Sequence, residues 1–412
     1  MDRLPVSLCM IVKNEEKNIS ACLKSVREWV SEMVVVDTGS TDSTVDIAKE
    51  MGARVEHYSW HDNFAAARNF SLDFAQYPWI LQLDADEEIM SDSVEWFFES
   101  YPWAGVDGYV VTIKNLMHKD FNEIQLSHKI CRFFKNKKDV SYKNKIHEYI
   151  DIDVNSNTLV TSPVKIIHKG YGDPDMQHKR SRRNEKMLLR DIQENPNSPN
   201  TQAYLAQHYT STKEYEKASE YGLKALKNDV TIPYLVQVSL RACGLAAVYL
   251  NKSDLIKNVE SRTDINEFPE LLFYQAQLKQ NEGKTDNAYE LYRQFLDFVE
   301  DMAEEQREFK IISACITNSS MFCAHYEADN NNINKAIETL EKAVEYAPTS
   351  YKARALLGKY YYNSNNLKDA LNTFEALIDQ ISKLGTEALK NNVLPRFRQV
   401  LTKIRQQLKT RN

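Results

Sequence analysis

Residues Ile80 to Glu87 read Ile-Leu-Gln-Leu-Asp-Ala-Asp-Glu, a short apolar run ending in two aspartates one residue apart. Alternate residues of an extended segment project to the same side, so Asp84 and Asp86 share one face at the mouth of a sheet. Carboxylates so placed suit a divalent cation. Magnesium and manganese take hard oxygen ligands and are commonly held by one or two carboxylates, with substrate phosphates completing the shell. A solvated acidic turn carries the same residues, and Asp-x-Asp alone does not separate the two readings.

The elements that must position these aspartates alternate between short apolar runs and amphipathic helices. Val6–Val12 and Met33–Val36 read as strands, Asn18–Val30 as a helix, and Ser43–Met51 as a second helix with Ser43 and Asp46 at capping-box spacing. Ala53–Tyr58, Phe64–Ala75 and Trp79–Leu83 continue the alternation, an order that predicts an α/β domain with a mostly parallel sheet. In open sheets of this kind ligands sit beyond the carboxyl ends of the strands, where Asn14, Asp37, Thr38, Ser40 and Asp84 all fall. A dinucleotide-binding domain is set aside: it needs a Gly-x-Gly-x-x-Gly turn after the first strand, and this chain has Lys13-Asn14-Glu15 there.

Four ordered segments carry a resemblance. Val12-Lys13-Asn14-Glu15, Val36-Asp37-Thr38-Gly39-Ser40-Thr41-Asp42-Ser43-Thr44, Asn63-Phe64-Ala65-Ala66-Ala67-Arg68-Asn69 and Leu83-Asp84-Ala85-Asp86-Glu87 resemble the successive motifs of family 2 glycosyltransferases with the GT-A fold. The resemblance implies that Asp37 reads the base of a sugar nucleotide, Arg68 sits near the nucleotide, Asp84 contacts the ribose and Asp86 holds a metal, Mg2+ or Mn2+. Asn14, Glu15 and Ser40 lie in the same motifs and join the expected donor-binding set. Two plainer readings stay open: Asp37 as a turn residue accepting local backbone hydrogen bonds, and Arg68 as a helix-surface cation.

Beyond Glu87, Gly108–Lys114, Lys129–Phe134 and Ile146–Ile152 are short β-rich runs, the second containing Arg132 and the third His147 and Glu148, and Ile167-His168-Lys169 follows. This order resembles family 2 enzymes that join the catalytic domain to helical repeats, including the sublancin-type peptide S-glycosyltransferases. By that resemblance His147 is a third metal ligand or diphosphate contact and Glu148 the base. Adjacent residues of a regular strand point to opposite faces, so the two share one site only if the chain bends there. An ordinary surface or core role for His147 stays open.

With 412 residues the chain is long enough for two domains, and its 42% hydrophobic content is ordinary for a soluble protein. No apolar stretch is expected to reach the roughly 18 residues of a membrane span. Met1-Asp2-Arg3-Leu4-Pro5 runs straight into the first strand, so no signal peptide is expected and the cytoplasm is the expected compartment. Six cysteines lie scattered without metal-ligand pairs or a disulfide-like framework. A net charge of −6 argues against broad nucleic-acid binding, the exception being the basic cluster Lys179-Arg180-Ser181-Arg182-Arg183. That cluster reads equally as a solvated helix face or a diphosphate contact.

Asn195-Pro196-Asn197-Ser198-Pro199-Asn200 breaks any helix and marks a domain boundary, so the α/β domain is expected over 1–194, with a connecting helix at about 176–194, and a second domain over 201–412. In the second, Ala336, Leu340, Ala343 and Pro348 precede Leu357, Gly358, Tyr361, Ala370 and Phe374, and Ala336 to Ala370 is a step of 34 residues. That is the tetratricopeptide period. Leu205, Ala206, Tyr209, Ala218 and Ala225 form a weaker copy, and Leu272, Ala276, Ala288 and Tyr292 another. The resemblance implies an inverting, metal-dependent transferase that uses a nucleoside-diphosphate sugar, with a Cys or Ser side chain of a ribosomal peptide as acceptor and a homodimer through the repeats. A cell-envelope saccharide or lipid-linked acceptor is the alternative, and a non-catalytic repeat scaffold is the third reading.

Overall fold

Strand β1 (Leu4–Val12) is buried at nearly every position. Val6, Leu8 and Met10 meet one apolar layer, while Cys9 meets another that includes Val34, Val36 and Ile80. A strand buried on both sides belongs inside a sheet covered by helices. In the computed structural model, which describes residues 3–101, 103–116, 124–152, 158–169, 174–263, 266–302, 310–384 and 387–410, β1 pairs in parallel with β2 (Val30–Asp37) and with β4 (Trp79–Gln82), and β2 with β3 (Arg54–His57). Helices α1 (Ile19–Lys24), α2 (Thr44–Glu50) and α3 (Phe64–Leu72) make the crossovers.

After β4 the pairing changes. The chain adds β5 (Glu87–Ile89), α4 (Ser91–Ser100), β6 (Gly108–Leu116), β7 (Ile124–Lys135), a small ribbon of β8 (Tyr142–Lys143) and β9 (Tyr149–Ile150), then β10 (Leu159–His168) and α5 (Pro174–Glu194). β7 runs antiparallel to both β4 and β6, and β10 lies parallel to β6 and antiparallel to β5, giving the order β3-β2-β1-β4-β7-β6-β10-β5. The expected mostly parallel sheet is therefore mixed. Consecutive strands β6 and β7 pair antiparallel, and β10 reaches its parallel place beside β6 only after the chain has passed through β7 and the β8–β9 ribbon, strands that here stand in for the usual crossover helix.

Three local expectations are corrected. The helix expected over Asn18–Val30 is regular only over Ile19–Lys24, with turns carrying the chain on to β2. Ser43 precedes α2 but its side chain caps nothing; its N–H donates to Glu16 Oε2 (3.2 Å) instead. The run Ile146–Ile152 is a strand only at Tyr149–Ile150.

The chain divides into two compact units, Met1–Glu194 and Asn195–Asn412. The second is all helical among its described residues: α6 (Pro199–Ser211), α7 (Tyr215–Lys227), α8 (Pro233–Leu250), α9 (Ser253–Glu260), α10 (Glu270–Asn281), α11 (Thr285–Glu300), α12 (Lys310–Asp329), α13 (Ile333–Tyr346), α14 (Tyr351–Asn363), α15 (Leu367–Leu384), α16 (Glu387–Asn392) and α17 (Leu394–Lys409). Ala206, Ala218, Ala225, Ala276, Ala288, Ala336 and Ala370 are fully buried where helices meet, as the repeat pattern predicts. One helix corrects the membrane expectation: α8 has 18 residues of mean hydropathy 1.2, long and apolar enough to cross a bilayer. Half of it is buried inside the unit, and it carries Arg241, ion-paired to the buried Glu270 at 2.7 Å.

Gly244 of α8 lies under the ring of Tyr274, and a Cβ built there would stand 2.4 Å from Tyr274 Cδ2. Tyr274 is buried and has little room to move. Gly244→Ala should therefore cost about 1–3 kcal/mol through overpacking, read as a lower urea midpoint for the helical unit. An unchanged midpoint would show that the ring yields freely.

Candidate active site

The carboxyl edge of the parallel strands gathers the expected residues through two loop systems and one buried arginine. Asn14 follows β1 in the left-handed conformation (φ 57°), which asparagine tolerates better than most residues. Its Oδ1 accepts the N–H of Thr41 (2.8 Å), while its own N–H donates to Ser40 Oγ (2.9 Å). Asn14 and Ser40 thus tie the β1 loop to the β2 loop. Asp37 ends β2, nearly fully buried, and its carboxylate accepts from the N–H groups of Gly39 (3.2 Å) and Ser40 (3.0 Å) and faces His57 Nδ1 at 3.3 Å. The turn role left open for Asp37 is present.

Asn63 caps α3 by accepting from the Ala66 N–H (2.9 Å), and Arg68 lies on the buried side of that helix. Arg68 is no surface cation: it is 7% exposed. Its Nε donates to Glu148 Oε1 and its Nη2 to Asp84 Oδ1, both at 2.8 Å. Asn69 brings Glu148 near by exchanging hydrogen bonds with the backbone of Tyr142 in β8. His147 and Glu148 sit in the bend between β8 and β9, with His147 at φ 54°, so the chain does bend where the shared site required it.

Asp84 Oδ2 also accepts from Arg132 Nη2 (3.1 Å), which donates in turn to Glu87 Oε1 (2.8 Å). Glu148, Arg68, Asp84, Arg132 and Glu87 form one alternating chain of charge. Burial opposes the ionised form of Asp84, but Arg68 and Arg132 overcome it and hold the carboxyl well below its usual range. A carboxyl whose folded-state pKa is depressed stabilises the fold above its unfolded value, about 3.9, and loses that contribution as pH falls through the folded value. The α/β unit should thus lose stability below about pH 4, and an acid unfolding midpoint insensitive to Asp84→Asn would contradict this.

Asp86 meets different partners. Its Oδ2 lies 3.3 Å from His168 Nε2 and 3.1 Å from Arg180 Nη2. Burial raises the Asp86 pKa, yet the His168 hydrogen bond and charge bring it below the ordinary carboxylate value. For His168, burial favours the neutral ring, but Asp86 and its acidic neighbours outweigh that and raise the pKa. Sheet register explains the encounter. His168 pairs with Glu87 across β10 and β5, the Lys169 N–H donates to the Asp86 carbonyl (2.9 Å), and Asn115 of β6 places Oδ1 2.8 Å from His168 Nδ1. Glu15 borders this group: burial raises its carboxyl pKa, the Asn18 hydrogen bond opposes that, and the charges of Asp86 and Asp84 add to the rise.

Arg132, Glu87, His168 and Arg180 were not among the expected site residues. Arg132 and His168 were visible only as polar residues at the ends of β-rich runs, and Arg180 as one of five clustered positions. No signal in the sequence paired them with the aspartates. Among the described residues no three His, Cys, Asp or Glu side chains gather closely enough to hold a metal by themselves.

The chain matches the family model described as Glycosyl transferase family 2 over residues 7–155 and the Tetratricopeptide repeat model over residues 327–383. It is 34% identical over 183 residues to a TPR repeat-containing protein of Synechococcus elongatus, covering 42% of this chain and 44% of that protein. It is 26% identical over 241 residues to the SPbeta prophage-derived glycosyltransferase SunS of Bacillus subtilis, 54% of each. Among solved structures, glucosyl-3-phosphoglycerate synthase from Mycobacterium tuberculosis, in complex with Mg2+ and uridine diphosphate, is 23% identical over 27% of this chain and 43% of that one, with a TM-score of 0.23. The chain spans about half the length of the curated relatives it matches.

Proposed function

We propose that this chain, whose residues 7–155 match the family 2 glycosyltransferase model and 327–383 the tetratricopeptide repeat model, is a GT-A-type enzyme that moves a sugar with inversion from a uridine diphosphate sugar to a Cys or Ser side chain of a ribosomal peptide. The observation that carries the reading is the division of labour between two aspartates at one sheet edge. Asp84 is locked between two buried arginines, whereas Asp86 faces a histidine and a more exposed arginine.

Asp86 and His168 fit a divalent ion. Two neighbouring ligands on one Mg2+ or Mn2+ stand about 3 Å apart when each bond is about 2.1 Å, and Asp86 Oδ2 lies 3.3 Å from His168 Nε2. The oxygen of Asn115 against Nδ1 favours the tautomer that leaves Nε2 for a metal. On this reading His168, rather than His147, would be the second protein ligand, and diphosphate oxygens and water would complete the shell. Bound there, the ion would neutralise charge growing on the leaving diphosphate.

The protein's own groups do the rest. Arg68 orients Glu148 through one carboxylate oxygen, and Glu148 takes the proton of the acceptor Sγ–H or Oγ–H. The acceptor atom bonds to the anomeric carbon as the bond to the diphosphate oxygen breaks on the opposite face, so no sugar is held covalently by the enzyme. Asp37, Asn14, Glu15 and Ser40 shape the nucleotide end of the edge. The peptide acceptor and a homodimer through the repeats rest on the resemblance to sublancin-type enzymes and on the similarity to SunS.

Incubating the protein with uridine, guanosine and thymidine diphosphate sugars, Mn2+ and Cys or Ser peptides, read by mass, tests the reading. One hexose added to a peptide supports it; transfer only to saccharide or lipid-linked acceptors favours an envelope role. A separate expectation concerns Arg180, which shares Asp86 Oδ2 with the metal position. It is about a third exposed (34%), so its pair with Asp86 is worth at most about 1 kcal/mol. Arg180→Ala should tighten Mn2+ binding without nucleotide by up to about fivefold, measured from the free Mn2+ signal in electron paramagnetic resonance. Weaker Mn2+ binding would show that Arg180 does not compete for this carboxylate.

A further inference from the structure

Lys179, Arg182, Arg183, Lys186 and Arg190 follow one another along α5 at steps of three and four residues, which puts them on one face of the helix. All five are exposed. The inner side of α5 is marked by Met187 and Leu188, both buried, and by Arg180, which reaches Asp86 at 3.1 Å. Glu185 and Asp191 of the same turns fall outside the basic face by the helical period. Arg190 pairs with Asp62, and the Arg183 guanidinium lies 4.9 Å over the ring of Phe64, whereas Lys179, Arg182 and Lys186 have no ion-pair partner among the described residues. Like charges three and four positions apart repel one another, so the stripe opposes the helix that carries it. Local conflict of this kind is expected where a surface has work to do.

We propose that this stripe sets acceptor selectivity by drawing onto α5 an acidic segment that flanks the accepting Cys or Ser, an inference that rests on the peptide-transfer reading. Phe64, beneath Arg183, opens α3, the helix whose Arg68 holds Glu148 at 2.8 Å, and the charge of Glu148 acts on Arg183. A peptide that brings its Sγ–H or Oγ–H to Glu148 therefore passes Arg183 and meets the stripe. From Lys179 to Arg190 the stripe runs about 16 Å at about 1.5 Å per residue, which an extended peptide covers in about five residues at about 3.3 Å each. Acidic side chains within about five positions of the acceptor residue thus fall against the cations. In a chain of net charge −6 the stripe is a local feature one helix face wide, suited to a single peptide rather than to a nucleic-acid duplex or a bilayer.

The test uses the full chain with Mn2+ and uridine diphosphate, and three fluorescein-labelled peptides that share a Cys-containing core and differ in a flank of about five Glu, Gln or Lys residues. Fluorescence anisotropy should show the Glu peptide binding roughly tenfold or more tightly than the Lys peptide, with the Gln peptide between them and the differences shrinking in high salt. The variant K179E/R182E/K186E leaves Arg180, Arg183 and Arg190 in place. It should lose roughly tenfold or more in affinity for the Glu peptide and gain affinity for the Lys peptide, a reversal that a merely misfolded variant would not show. Equal binding of the three peptides, no binding, or a Glu preference that survives in the variant overturns the proposal. So does capture of single-stranded DNA or anionic vesicles that the variant loses while the peptides stay unbound. With a uridine diphosphate sugar in place of the nucleotide, transfer read by mass separates the two readings. Transfer to all three peptides alike overturns this proposal and leaves peptide transfer standing, whereas a charge preference in binding with sugar moved to no peptide supports the stripe and overturns peptide transfer.

Discussion

Asp86→Ala is expected to lower sugar transfer by a factor of about 10² or more, the usual consequence of removing electrostatic stabilisation of a leaving group. The carboxylate is 7% exposed and sits between His168 and Arg180 at the edge where β4 ends. Its loss removes one of the two groups fitted to a metal and leaves Arg180 and His168 facing each other. The fold should survive, because the partly exposed Arg180 can turn to solvent and loss of the carboxylate removes the main influence that raises the His168 pKa, which favours the neutral ring. Excess chelator should reproduce the loss in the unaltered protein. Transfer that persists both in chelator and in Asp86→Ala, with an unchanged thermal midpoint, would remove the metal from this site.

Arg68→Ala should act on stability rather than on donor affinity alone. Arg68 is the shared partner of Asp84 and Glu148, and Glu148 is largely buried. Breaking a buried pair by deleting one member costs about 3–5 kcal/mol, because the other is left charged and unpaired. Asp84 is 34% exposed and keeps Arg132, so the lower end of that range applies, about 3 kcal/mol. The first transition in urea should move down accordingly. Adding Glu148→Gln and Asp84→Asn should recover part of the loss, since neutral amides need no guanidinium. A shift below about 1 kcal/mol, the scale of an exposed pair, would show that Arg68 is solvated and return it to a nucleotide-binding role.

The sequence by itself determined the strand and helix alternation through β4, the clustering of Asn14, Asp37, Ser40 and Asp84 at one edge, and the helical repeats. These follow from local rules: apolar runs of strand length, side-chain alternation along a strand, and small residues at a fixed period. Arg68 was read from its motif, yet its burial was not, because its partners Glu148 and Asp84 lie 80 and 16 positions away and meet it only in the folded chain. The antiparallel half of the sheet escaped, since strand direction is set by how the chain returns rather than by residue pattern. Tertiary structure alone chose His168 for Asp86 and Arg132 for Asp84. His168 arrives through the register of β10 against β5 and β6, and Arg132 through that of β7 against β4. Pairings between residues 82 and 48 positions apart depend on how strands slide past one another, and a one-residue slip would turn each side chain to the opposite face.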